Sequence, residues 1–534
     1  MNENDASEPR AARGLRAAIE GVMPAERFGD HRAILGGAAQ NVLGLIVGAV
    51  AFAAAQVVMS RTLGAQRYGI VTMAVQIAFV GSTATRFGMD VATIRLVAIL
   101  VGKGESGRVR GLVARAVGIA AVVSVAAGLV LLVASGALAR SLSELPGVAR
   151  PAFQAAALAL PLAALAQTWL GATRGLKIMR HTLYVQWIGQ PLGWIAFTLL
   201  AWTVAETAGA TVLAYAASWG LAMGAAWWAW ERESVRLTAR TDGGGIAEEH
   251  PAALIRFGAF RAPAALFAHL VFWTDFYVLS TLATDRTSGI YAAVLQAGQS
   301  LFLFLTSLSL MFSPFVADLH HRGERDRLDD LYKSVTRWTL AATIPVLLVL
   351  AILPGPVLRI FGGDFVEGEA ALRILIVGMI VPVMVGTVGF ILIMAGRTGW
   401  DLLVYVGGFA IDVGVALALA RPEVLGIRGA AIAQALTLSF SAIARLVLVR
   451  RFLGIWPFDR DFLRLAVPAA IGGAAMAATH LVLPGERWLI DLAGSLLVGG
   501  VAYAASLVAV GLKPGERRAV MRVAGRVLGR GAPA

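Results

Sequence analysis

Five polar residues, Thr72, Gln76, Thr83, Arg86 and Asp90, follow one another at steps of 4, 7, 3 and 4 through an otherwise apolar stretch. On a helix that spacing sets them on one face. Lipid satisfies neither an amide nor a guanidinium, so the stripe must look onto protein or a water-filled cavity. The chemistry open to it is recognition of an anion by Arg86 with amide and hydroxyl groups alongside; the alternative is that Arg86 and Asp90 neutralise each other near a membrane surface. An ionised side chain at mid-bilayer costs about 2.5–3.5 kcal/mol on insertion scales, which makes every other intramembrane charge a candidate. His269 and Asp275 lie in a second apolar run, entered past Arg256 and Arg261 and loosened by Pro263. Asp412 lies in a third. Asp90, Asp275, His269 and Asp412 are read as coupling or structural charges. The structural version pairs each carboxylate with an arginine of a neighbouring span and gives His269 an interhelical hydrogen bond. Gln296, Gln299, Ser300 and Ser307 make a further polar side, and Arg445 is another basic candidate. The residues assigned to a translocation cavity are Arg86, Arg256, Arg261, Gln76, Gln296 and Gln299. Amides and hydroxyls are also ordinary glue between helices, so they name no cargo by themselves.

Bond-making chemistry finds no foothold. The sequence has no GxxxxGK[ST] loop, no HExxH and no cysteine. That excludes an ATP motor within the chain, a thiolate metal site, a disulfide framework and a cysteine nucleophile. No enzyme activity, metal or cofactor is expected; Na+, H+ or the membrane potential remains as a coupling source. Gly243, Gly244 and Gly245 follow Asp242 with no strand before them and read as a linker. Trp227, Trp228 and Trp230 read as an interfacial belt. A basic cavity implies an anionic cargo. With the cytosol negative, each elementary charge carried outward is worth about 2.3 kcal/mol per 100 mV, so an anionic headgroup would move downhill.

The elements that must position these residues are membrane helices. Of 534 residues, 58% are apolar and 15% charged, and the mean hydropathy is +0.73, which places the chain in lipid. Its net charge of +13 is scattered between apolar runs and does not form a nucleic-acid face. Stretches long enough to cross about 30 Å of hydrocarbon fall near 33–58, 66–89, 112–135, 151–171, 183–204, 208–230, 258–282, 288–317, 335–355, 372–395, 402–421, 428–449, 463–483 and 489–511. The expected class is thus an all-α polytopic membrane protein of about fourteen spans. With the N-terminus inside, segments on that side hold about 30 of the 46 Lys and Arg and the opposite loops about six, which predicts both termini in the cytoplasm and an inner-membrane location. Residues 1–32 carry no signal-peptide core and read as a cytosolic tail. The remaining organisation is a six-span lobe over 33–230, a cytosolic linker over 231–257, a second lobe over 258–449, an added pair over 463–511 and a tail over 512–534. Leu328, Leu331, Tyr332 and Val335 predict an amphipathic surface helix within 318–337. An internal repeat supports the two lobes: Ser60, Gly69, Ile70 and Gln76 recur 220 positions later as Ser280, Gly289, Ile290 and Gln296. Both turns lie on one face, as two parallel lobes about an axis normal to the membrane require.

These residues carry a resemblance. LGAQRYGI at 63–70, then Arg86, Phe87, Gly88, Asp90 and Arg95, resembles the opening of polysaccharide flippases in the multidrug, oligosaccharidyl-lipid and polysaccharide (MOP) exporter superfamily. Asp275 with SGIYAAVLQ at 288–296, Ser313, Pro314 and LRIFGGDF at 358–365 resembles landmarks of its O-antigen and exopolysaccharide branch. The resemblance covers roughly 33–450. It implies two lobes that rock about a basic cavity containing Arg86 and flip undecaprenyl-diphosphate-linked oligosaccharide across the membrane, in company with a polymerase and glycosyltransferases. Fourteen helices is similar to the lipid II flippase branch, but span one offers Gln40, Asn41 and Gln56 where that branch has arginines. Drug and cation antiporters of the superfamily and a non-transporting assembly partner are the other readings.

Overall fold

The computed structural model describes residues 28–238, 251–302, 305–306, 316, 319–320, 322–483, 488–512 and 517, with side chains from 47 onward and, between 251 and 261, for Leu254 alone. Among these residues every regular element is a helix. In order they are α1 (Phe28–Thr85), α2 (Met89–Gly102), α3 (Val109–Leu142), α4 (Pro146–Gly175), α5 (Gln190–Trp202) and α6 (Ala208–Thr238). There follow α7 (Pro251–Leu270), α8 (Thr274–Leu282), α9 (Asp285–Gln299), α10 (Arg325–Ile352), α11 (Pro354–Arg359), α12 (Glu369–Val385) and α13 (Val388–Met394). The chain ends in α14 (Thr398–Leu419), α15 (Ile427–Leu453), α16 (Ala466–Val482) and α17 (Trp488–Ser506).

Nine helices among the described residues are long and apolar enough to cross a membrane, and the pair Ala262–Leu270 and Thr274–Leu282, bent by 57°, makes ten if taken as one span. That criterion does not reach the fourteen expected, for identifiable reasons. The stretch Val47–Thr85 counts once, yet Tyr68 donates a hydrogen bond to Gln56 Oε1 at 3.3 Å. Residues twelve apart on a straight helix lie about 18 Å apart, so the chain has turned back between them. It does so at Gly64, whose φ of 72° and ψ of 170° are open mainly to glycine. Expected span five is shortened because its first turns, Leu183–Gly189, are π-helical and leave only 13 residues in α5. Span six, within α6, falls outside the criterion, and span eight runs from α9 into residues beyond the described set. The surface helix expected within 318–337 is not a separate element: its Leu328, Tyr332 and Val335 are buried on α10, which continues unbroken as a span.

The helices pack in two groups, α3 to α6 with much of α1 on one side and α12, α14 and α15 on the other, with α1 and α9 crossing between them. That crossing is backbone on backbone. A Cβ on Gly69 would stand 2.2 Å from the Asp285 carbonyl oxygen, and one on Gly289 would stand 1.8 Å from that of Ala65. Since 285 is 65 plus 220 and 289 is 69 plus 220, the contact is self-complementary, as a two-fold relation between the halves demands. The added pair α16 and α17 rests on the second group, where Tyr503 donates to the Ala341 carbonyl at 2.7 Å. Outward faces are apolar, as with Val122 and Val133 of α3, which suits a lipid solvent.

Candidate functional site

Arg86 stands one residue beyond α1. The helix stops at Thr85 because Phe87 and Gly88 take left-handed backbone angles, φ 50° and 69°. Asp90 therefore does not continue the stripe of span two, as the spacing predicts; it opens α2 and is returned to Arg86 by the turn. Arg86 Nη1 reaches Asp90 Oδ2 at 3.3 Å and also donates to Gln167 Oε1 of α4. Nη2 donates to Thr83 Oγ1 at 2.8 Å, and Nε to the Ser82 carbonyl at 3.2 Å. At 7% exposure the guanidinium is held by the first half and is not open to a broad chamber. Arg174, half-buried and close enough to feel both Arg86 and Asp90, adds a second cation that the spacing argument missed.

Gln76 faces the other half. Its Oε1 lies 3.4 Å from His269 Nε2, and His269 also stacks at 4.8 Å from Phe79. The histidine thus makes the interhelical contact expected of it, and the contact bridges the two halves. Gln299 is half-buried with Nε2 lacking a hydrogen-bond partner, and Gln296 is half-buried one turn earlier. The side chains of Arg256 and Arg261, together with Ser307, Ser313 and Pro314, lie outside the described residues.

Asp275 and Asp412 come together, which their separation by 137 positions hid. Span seven breaks between Leu270 and Thr274, and Asp275 sits in the first turn of α8 behind the break. Its backbone N–H donates to Asp412 Oδ2 at 3.2 Å, and the Tyr291 hydroxyl donates to Asp275 Oδ2. Both carboxylates are fully buried, and Oδ1 of each has no hydrogen-bond partner. Among the described residues neither carboxylate has an arginine within ion-pair distance; the two instead share an acidic site at the start of a half-helix, where the dipole favours negative charge. Tyr291 gave no sequence signal beyond its place in SGIYAAVLQ. Arg445 does pair, with Asp401 at 2.7 Å and over the Tyr405 ring at 4.3 Å.

A cavity of about 460 Å3 opens near the crossing of α1 and α9, lined by the hydroxyls of Ser141, Ser143, Ser280, Thr281, Thr284 and Thr287. It contains none of the six residues assigned to a translocation cavity and is not basic. Among the described residues no group of His, Asp and Glu could hold a metal ion.

The broken helix and the self-complementary crossing define a two-group helical membrane architecture. No protein-family model matches the sequence, and no curated protein matches it. Solved structures do. The chain is similar to "Lipid II flippase MurJ, inward closed conformation", with a TM-score of 0.69 and 12% identity over 88% of this chain and 97% of the other. It is similar to an inward-facing multidrug resistance MATE family transporter of the MOP superfamily, with a TM-score of 0.63 and 14% identity over 78% and 98%. A MOP superfamily transporter from Pyrococcus furiosus, described as having a binding pocket of reverse polarity, aligns with a TM-score of 0.58 and 15% identity over 78% and 96%. The chain therefore has the multi-pass helical fold shared by these flippases and transporters, none of which is named as an enzyme.

Proposed function

We propose that the chain is a flippase that moves undecaprenyl-diphosphate-linked oligosaccharide, an O-antigen or exopolysaccharide unit, between the leaflets of a bacterial inner membrane by alternating access. The self-complementary contact of Gly69 with Gly289 carries the reading, because two halves joined about an axis along the membrane normal can rock about a site between them. The match to MurJ over 88% of the chain supports a lipid-linked cargo. Arg86, once released from Asp90 and Gln167, would join Gln76 and the basic residues Arg256 and Arg261 as the groups for a diphosphate, and the face of the Gly64 turn, whose loops together hold about six of the 46 Lys and Arg, is assigned to the periplasm, with both termini cytoplasmic. The lobe boundary is placed between α6 and α7, within the stretch 231–257. The test is reconstitution: purified chain alone in liposomes moves labelled polyprenyl-diphosphate-sugar, and sugars offered in parallel separate a repeat unit from a lipid II headgroup. No movement of either would refute the flippase reading and leave an antiporter, or a non-transporting partner of a polymerase or glycosyltransferase.

The buried pair Asp275 and Asp412 favours a second reading, a drug or cation antiporter, since a carboxylate pair with two unsatisfied oxygens suits exchange of H+ or Na+. Ion-linked efflux of small cations that collapses in Asp275→Asn would select it; in the flippase reading the same pair couples or tunes the cycle.

A further inference from the structure

Four turns meet where α1 crosses α9, and they meet in a fixed pattern. The turn closing span one carries Ser60 and Arg61. Ser60 Oγ donates to the Phe361 carbonyl at 2.9 Å, and Arg61 donates through Nε to Ile360 at 2.7 Å and through Nη2 to Arg359 at 3.1 Å. These carbonyls follow α11, in the turn between spans nine and ten of the second half. The corresponding turn of the second half carries Asp285. Its Oδ2 accepts from Ser143 Oγ at 2.7 Å and from the Glu144 backbone N–H at 3.1 Å, just before α4 in the turn between spans three and four of the first half. Each half's first turn therefore holds the other half's second turn. The polarity is reversed between the arms: a cation meets carbonyls at the end of one helix, and an anion meets a backbone N–H just ahead of another, each the favourable partner for that terminus. Most of these contacts are to main chain, so they depend on Arg61 and Asp285 rather than on matched side chains opposite. Asp285 is 6% exposed and Ser60 is 1% exposed, whereas the Arg61 side chain lies at the surface over the buried Ser60 contact.

We propose that these two arms form a clasp that holds this face shut, with Arg61 and Asp285 as its catches, and that release of either lets the halves part about the Gly69 and Gly289 crossing. The proposal rests on the alternating-access reading and adds the device that sets the balance between its states. Arg286, beside Asp285, is engaged by Glu367 of its own half through two bonds of 2.6 and 2.7 Å and leaves Asp285 to the opposite half.

The experiment uses the absence of native cysteine. Ser288→Cys, a near-isosteric change at a site 3% exposed within the closed contact, supplies the sole thiol. The full chain in lipid nanodiscs is labelled with a hydrophilic maleimide, which reaches both faces and needs no cargo. Asp285→Ala and Arg61→Ala are each expected to raise the labelling rate about tenfold, the effect of losing a charge-assisted hydrogen bond. Ser143→Ala is expected to raise it about threefold and to add nothing once Asp285 is gone, as partners in one bond must behave. Rates unchanged in Asp285→Ala and Arg61→Ala, or Ser143→Ala and Asp285→Ala multiplying independently, overturn the clasp. Should Asp285→Ala also expose Ser441→Cys, a reporter 2% exposed inside the second half, the rise is unfolding, and Ser143→Ala decides by the same measurement. A clasp that labels as expected in a chain that moves no lipid-linked sugar refutes the transport reading alone.

Discussion

Replacing Gly289 by alanine adds one carbon where there is no room for it. The new Cβ would lie 1.8 Å from the Ala65 carbonyl oxygen and 2.9 Å from the Gly69 nitrogen, and neither is the movable end of a side chain. Real Cβ atoms essentially never approach closer than 3.0 Å, so α1 and α9 must separate by at least 1.2 Å at this point. Overpacking of this kind costs about 1–3 kcal/mol. Because the halves are joined rather than internally knitted at this crossing, the cost falls on the closed state, and the population of the open face should rise by roughly 5- to 150-fold at about 1.4 kcal/mol per tenfold. Labelling of Ser280→Cys, 6% exposed near the end of α8, measures that shift in otherwise cysteine-free protein. Gly69→Ala should act in the same direction by a smaller factor, since its nearest atom is at 2.2 Å, whereas Gly147→Ala, with nothing within 4 Å, should match the parent. Parental labelling and parental transport in Gly289→Ala would show that the two helices are not a moving contact, and the two-fold argument would fail with them.

Arg86→Ala is expected to abolish flipping in liposomes while membrane insertion and abundance persist; parental transport would remove Arg86 from the mechanism. Gln167→Leu deletes the acceptor of the Arg86 Nη1 bond and should lower thermal stability by about 1.5–3 kcal/mol, the usual worth of a hydrogen bond to a charged group, read as a lower midpoint in detergent unfolding. Asp275→Asn keeps an acceptor for Tyr291 and removes one of two adjacent buried carboxyl groups, so the fold should be retained while any dependence of transport on a Na+ or pH gradient is lost; an unaltered dependence would exclude the pair as the coupling site. At Asp285, burial raises the carboxyl above its ordinary value against the lowering effect of bonds from Ser143, Glu144 and Leu145. The closed clasp therefore holds a proton more tightly than an open one, where the group would be in water. Lowering the pH through the window between the ordinary and the raised value should favour the closed face, and raising it should favour opening. Ser288→Cys labelling that rises on acidification in that window would contradict this.

What the sequence conveyed depended on whether a relation was local. The polar stripe from Thr72 to Thr83 was readable because α1 is helical there. Asp90 was misplaced because two left-handed residues, Phe87 and Gly88, interrupt the arithmetic. The turn at Gly64 and the self-complementary crossing were foreshadowed by the repeat at 60–76 and 280–296. Long-range partners were not readable: Gln167 is one amide in an alanine-rich helix, and nothing near Asp275 pointed to Asp412, 137 positions away, or to the Tyr291 hydroxyl. Span counting by hydropathy and spacing cannot detect a π-helical start such as Leu183–Gly189 or a break such as that before Thr274, since both depend on how the backbone meets its neighbours.

Positions 65 and 285 occupy the same place in the two repeats, one an alanine and the other an aspartate. An ancestor made of two identical half-length chains would have carried one residue at both places, so its two catches would have been indistinguishable and would have loosened together. In this chain the halves differ at that pair and also at 61 and 281, an arginine and a threonine, so the cationic catch belongs to one half and the anionic catch to the other. Such a chain can be unfastened from one side first, which a symmetric dimer of half-chains has no means to specify.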